Sequence, residues 1–154
     1  MGKNMEILQL FTENKVFLRA ASAWAAAQVI KTIINFIMTE DLSIERLFGS
    51  GGMPSSHSAF VTAMATSAVR VCGYSSPVSA VAICLAFIVM YDAMGVRRQA
   101  GEHAKVLNDL VECLQKDNIV AEDLTHNFKE LLGHTPLQVA AGFVLGLLMG
   151  CLVN

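Results

Sequence analysis

Charge is scarce in this sequence. Only 16% of its 154 residues are Asp, Glu, Lys or Arg, while 54% are hydrophobic; soluble domains carry roughly 25% charged residues. That deficit argues against an ordinary water-soluble domain and points to a bilayer. Basic runs are missing and the formal net charge is −2, so nothing calls for a nucleic-acid partner. The N-terminus, "MGKNMEILQLFTENK", lacks an apolar core followed by a small-residue cleavage site, so no cleavable secretory signal is expected. Glu6 breaks a myristoylation pattern. Cys72, Cys84, Cys113 and Cys151 match neither a zinc site nor a CxxC redox pair, and free thiols are expected. HExxH, carboxylate clusters and Cys/His pairs are also missing, which implies no metal and no cofactor.

What is present is a series of apolar segments. A helix needs ~20 mostly apolar residues to span a bilayer. Val16–Met38 qualifies, with Arg19 near one end and Lys31 well inside. Ser58–Cys72 is short and made of small residues, so it packs better among other helices than in lipid. Ser76–Val96 is long enough, and Thr135–Val153 just manages. Between these last two, Arg98–Asp117 places Ala100, Ala104, Leu107, Leu110, Val111 and Leu114 at helical spacing, an amphipathic helix at the membrane surface. Leu124–Gly133 reads as a short helix ending at a C′ glycine. Thr135, Pro136 and Gln138 form a capping box for the last span. The expected fold is all-α, one integral membrane bundle of about four transmembrane helices plus a surface helix, covering residues 1–154 and placed as a multi-pass protein of the cell membrane. The few cations outside the candidate site, Arg46, Lys105 and Lys116 against Lys3, Lys15, Arg19 and Arg70, do not assign its sidedness.

Gly142, Gly146 and Gly150 stand four apart along the last span. They permit close helix contact, either within the subunit, the simpler reading, or as a homodimer seam.

Alternate crossing puts three polar connections on one side: "GGMPSSHS" at 51–58, "DAMGVRRQAGEHA" at 92–104 and "KELLGHTP" at 129–136. Lys31 leans the same way. The glycines of the first stretch allow positive φ, and the helix beginning at Ser55 and Ser56 offers N–H groups and a dipole to an anion. His57 can protonate a leaving oxygen. Arg97 and Arg98 can grip phosphate oxygens or anchor at the interface. Asp92 is a carboxylate inside apolar sequence, costly and therefore a site candidate or half of an ion pair. His134, before a capped helix, can attack phosphorus; Glu130 can orient an imidazole and Lys129 can bind phosphate. Arg19 and Arg70 read as snorkelling anchors, and His126 as solvent-facing. With cations supplied by side chains, the set suits metal-independent phosphoryl transfer.

The stretches "GGMPSSHSA", "DAMGVRRQAGEHAKVLN" and "KELLGHTPLQVAAG", with "AQVIK" around Lys31, resemble the divergent branch of the phosphatidic acid phosphatase type 2 superfamily, related to acid phosphatases and vanadium-dependent haloperoxidases. The resemblance implies a helical bundle around a phosphate pocket, a histidine nucleophile giving a phosphohistidine, and a histidine general acid. Pro54-Ser55-Ser56-His57 matches the signature that carries the acid, making it His57. The stretch around His134 looks like the nucleophile region. Gln138 stands where the wider superfamily has an orienting aspartate, a role that would pass to Asp92 or Glu130. Arg97 followed by His103 offers a second alignment to the same signature. The implied activity is hydrolysis of a lipid phosphate or diphosphate in the bilayer. The rival reading is a non-catalytic membrane module that binds anionic lipid head groups, and haloperoxidase chemistry fits so small and apolar a chain least.

Overall fold

The computed structural model describes residues 12–39, 52–116 and 133–152, with only the backbone described for Thr39, Val96, Arg97 and Arg98. These residues form five helices: α1 Lys15–Thr39, α2 Ser56–Cys72, α3 Pro77–Met94, α4 Val96–Lys116 and α5 Pro136–Leu152. The starts obey capping chemistry. Asn14 Oδ1 accepts from the N–H groups of Val16 and Phe17, both at 3.1 Å. Ser55 and Ser76 cap α2 and α3, and Pro77 occupies the first turn of α3. At α5, Thr135 N–H donates to Gln138 Oε1 at 3.0 Å and Gln138 N–H to Thr135 Oγ1 at 3.4 Å, the expected capping box.

The central helix is α2, which packs on α1, α3 and α5. Its sequence explains that place. Ser58, Ala59, Ala63, Ser67 and Ala68 are all buried, so neighbours approach its backbone closely. The glycine face of α5 completes the contact. A Cβ at Gly142 would collide with the Ser55 carbonyl; at Gly146 it would lie 2.5 Å from Ala59 O, and at Gly150 2.7 Å from Thr66 Cβ. The three successive contacts run the same way along both helices, so α2 and α5 are parallel. The stripe is thus filled within the chain, and a dimer through it would have to displace α2. On α1, Arg19, Ala23, Ala27 and Lys31 form one stripe, every member no more than 6% exposed.

The distribution of side-chain size is the reverse of a soluble core. Among the described residues the largest fully buried side chains are serines: Ser55, Ser58, Ser67 and Ser79. Large apolar groups such as Ile33, Phe87, Ile88 and Leu148 lie outside. Water would penalise that exterior, whereas lipid accepts it, and close packing of small residues replaces hydrophobic burial as the glue. Among the described residues two stretches are long and apolar enough to cross a membrane, Lys15–Met38 and Pro77–Lys116, the latter being α3 run on into α4. The apolar helix α5 is shorter, and the small, half-polar α2 does not qualify by itself.

Arg19 departs from the snorkelling expected of it. At 5% exposure it faces the bundle on the same stripe as Lys31. Arg70 reaches across to the last turn of α5, where Nη1 donates to the carbonyls of Gly150, at 2.9 Å, and Cys151. It satisfies carbonyls a helix end leaves open. The four cysteines are free, as expected.

Candidate functional site

The parallel arrangement of α2 and α5 brings two helix N-termini to one end of the bundle. Two backbone hydrogen bonds tie that end together. Ser55 N–H donates to Gln138 O at 3.0 Å, joining the start of α2 to the first turn of α5. His134 N–H donates to Ala93 O at 3.0 Å, joining the approach to α5 to the last turn of α3. The three connections therefore meet, though they lie far apart in the sequence.

His57, in the first turn of α2, is exposed, and His134 is buried at 3% exposure. Their rings stand 6.4 Å apart between centroids, inclined at 56°. His134 Nδ1 lies 3.2 Å from Gln138 Oε1. Lys31 arrives from α1. Its stem packs against Gly52, where a Cβ would lie 3.0 Å from Lys31 Cγ, and Gly52 has φ +92°. Both the conformation and the space at Gly52 suit glycine, so the backbone there can lie against the lysine stem.

Ser55 serves the architecture rather than an open surface. It is fully buried, its Oγ accepts from Ser58 N–H at 3.3 Å and from Ser58 Oγ–H at 3.0 Å, and its own N–H is committed to Gln138. Buried polar groups need such partners. Ser56 opens α2 beside it, 3% exposed. Asp92 is half-buried and precedes Ala93, the residue whose carbonyl receives His134 N–H. Arg97 and Arg98 lie in the first turn of α4, immediately past that junction. His103 is exposed on α4. Lys129, Glu130 and His126 lie outside the described residues. Among the described residues no group of three or more His, Cys, Asp or Glu side chains could hold a metal ion.

One contact escaped the sequence reading. Gln138 was legible as a capping residue and as a replacement for an aspartate. That its oxygen also faces the ring of His134 was not, because the two residues are separated by a cap and a proline rather than sharing a regular helix. The motif "HTPLQ" carried the signal: an imidazole just before a capping box lies within reach of the box's own acceptor.

A family model and a relative each match most of the chain. The model described as "Divergent PAP2 family" matches residues 12–149. A protein of Bacillus subtilis (strain 168), named as the uncharacterized membrane protein YuiD, is 40% identical over 153 residues, covering 94% of each chain. No solved structure matches.

Proposed function

The chain belongs to the divergent PAP2 family, and on that footing we propose that it is a multi-pass membrane phosphatase, a single domain acting on a lipid phosphate or diphosphate. The observation that supports this most is the pair of imidazoles 6.4 Å apart at an end where two helices begin. Helix N-termini attract anions through free N–H groups and the dipole. The buried Lys31 brings a basic side chain against Gly52, just ahead of the helix that carries His57.

In this reading α1, α2, α3 and α5 cross the membrane and α4 lies along its surface. The head group enters at the site end. Lys31, the first turn of α2 at Ser56, Arg97, Arg98 and Lys129 hold the phosphate oxygens, with Asp92 and Glu130 orienting the cations and the His57 ring around them. His134 Nε2 attacks phosphorus. The bond from phosphorus to the lipid oxygen breaks, and His57 gives that oxygen a proton. Water then attacks the phosphohistidine, His57 takes a proton from it, and inorganic phosphate and free His134 are restored. A phosphoryl group in line between the two nitrogens needs the rings farther apart than 6.4 Å. Exposed His57 has the room to rotate outward; His134, enclosed and hydrogen-bonded, is the fixed partner.

Purified protein assayed for phosphate release across a panel of lipid phosphates tests the reading, with vanadate as inhibitor. Release that vanadate blocks and that His134→Ala abolishes is expected. Vanadate binding without turnover on any lipid phosphate would instead favour the head-group-binding module.

A further inference from the structure

The site contains an orienting device that uses no charge. Thr135 N–H can only donate, so the Gln138 atom 3.0 Å from it is the carbonyl oxygen, Oε1, and the side-chain amide has one orientation. The same oxygen lies 3.2 Å from His134 Nδ1. An oxygen that already accepts from Thr135 has a second lone pair to offer but no proton to give. The hydrogen on this contact therefore belongs to Nδ1.

We propose that Gln138 is the positioning residue of His134: it accepts from Nδ1–H, holds the ring in that tautomer and leaves the lone pair on Nε2. This rests on the phosphatase reading for its catalytic consequence, though not for its geometry. Gln138 is itself held from several sides. Its N–H donates to Thr135 Oγ1 at 3.4 Å, and its carbonyl accepts from Ser55 N–H at 3.0 Å. The residue that orients one imidazole is thus bonded through its backbone to the cap of the helix that carries the other. His134 is pinned at its own backbone by Ala93 O, at 3.0 Å. A ring fixed at the main chain and at Nδ1 has one direction left for its reactive nitrogen, and the second nitrogen of a histidine is set by the bond the first one makes. The neutral amide orients without adding negative charge to the phosphate pocket, so its loss falls on the chemical step rather than on substrate binding.

The test uses the full chain in lipid micelles with ¹⁵N-labelled histidine, at a pH where the imidazoles are neutral. The four histidines are assigned by single substitutions. In the wild type, His134 is expected to show protonated Nδ1 and bare Nε2. Gln138→Met keeps the length of the side chain and removes the acceptor; the His134 proton should move to Nε2, and kcat on a lipid phosphate should fall about 10- to 100-fold with KM held, by analogy with the loss seen when the hydrogen-bond partner of a metal-bound histidine is removed. Gln138→Glu restores an acceptor oxygen and should restore the Nδ1–H signature. Thr135→Ala removes the other half of the capping box and should leave the tautomer unchanged, which separates positioning from helix stability. A wild-type His134 protonated at Nε2 overturns the proposal, and that spectrum decides even if the methionine variant does not fold. So does a methionine variant whose tautomer stays put while kcat falls. A tautomer that shifts as described in a protein that hydrolyses no lipid phosphate leaves the positioning role standing and removes the phosphatase reading.

Discussion

The two ends of the bundle are built from similar materials and use them differently. Each has a buried basic side chain from the same stripe of α1, Lys31 at one end and Arg19 at the other, and buried serine on α2, Ser56 and Ser58 at the first end and Ser67 toward the second. At the end where α2 and α5 finish, the polar groups close the structure. Arg70 takes the final carbonyls of α5, and Ser79 Oγ donates to Gly73 O at 2.7 Å in the turn before α3. At the end where the two helices begin, backbone bonds do the closing, and the histidines and the lysine are gathered around them. The contrast teaches that burial of charge alone does not mark a site. What distinguishes the candidate site is convergence of chemically different groups on two helix N-termini.

Substitutions can break or sharpen that contrast. The largest effect is expected from His134→Ala, a loss of more than about 10⁴-fold in phosphate release, because a missing nucleophile leaves only binding and electrostatic help. His57→Ala should cost about 10²- to 10⁴-fold, the range of general acid–base assistance, and less on substrates with better leaving groups. Lys31→Met keeps the stem against Gly52 and removes the charge; a rise in KM of about 10- to 100-fold is expected, corresponding to one charged hydrogen bond. Comparable turnover and KM in Lys31→Met and wild type would remove the lysine from the phosphate pocket. Gly146→Ala acts on the scaffold, since its Cβ would lie 2.5 Å from Ala59 O. It should destabilise the bundle by about 1–3 kcal/mol, read as a lower unfolding midpoint in detergent. Arg70→Met should be mildest, about 1 kcal/mol of stability with turnover unchanged, because its contacts lie at the far end.

Much of this architecture was readable in advance for a physical reason. Apolar runs bounded by Ser, Thr and Pro define helices whatever surrounds them, so α1, α3 and α5 begin and end close to their expected places. The small residues of α2 forecast its central position, because only close neighbours make such a surface favourable. Arg19 was misread because snorkelling is a rule for a side chain facing lipid, and which way a residue faces depends on the partner helix. The Gln138–His134 contact was invisible for a related reason: a residue's role inside a local motif hid its second role across the cap. Lys129 and Glu130 lie outside the described residues, and of Arg97 and Arg98 only the backbone is described.

Gly142, Gly146 and Gly150 seat α5 against the main chain of α2 at three successive levels. Two rods clamped so tightly cannot slide or splay independently when the surrounding bilayer thins, thickens or curves. They must lean as one body, carrying the segments that bear both imidazoles, so the arrangement on which the proposed chemistry rests is insulated from the mechanics of the membrane.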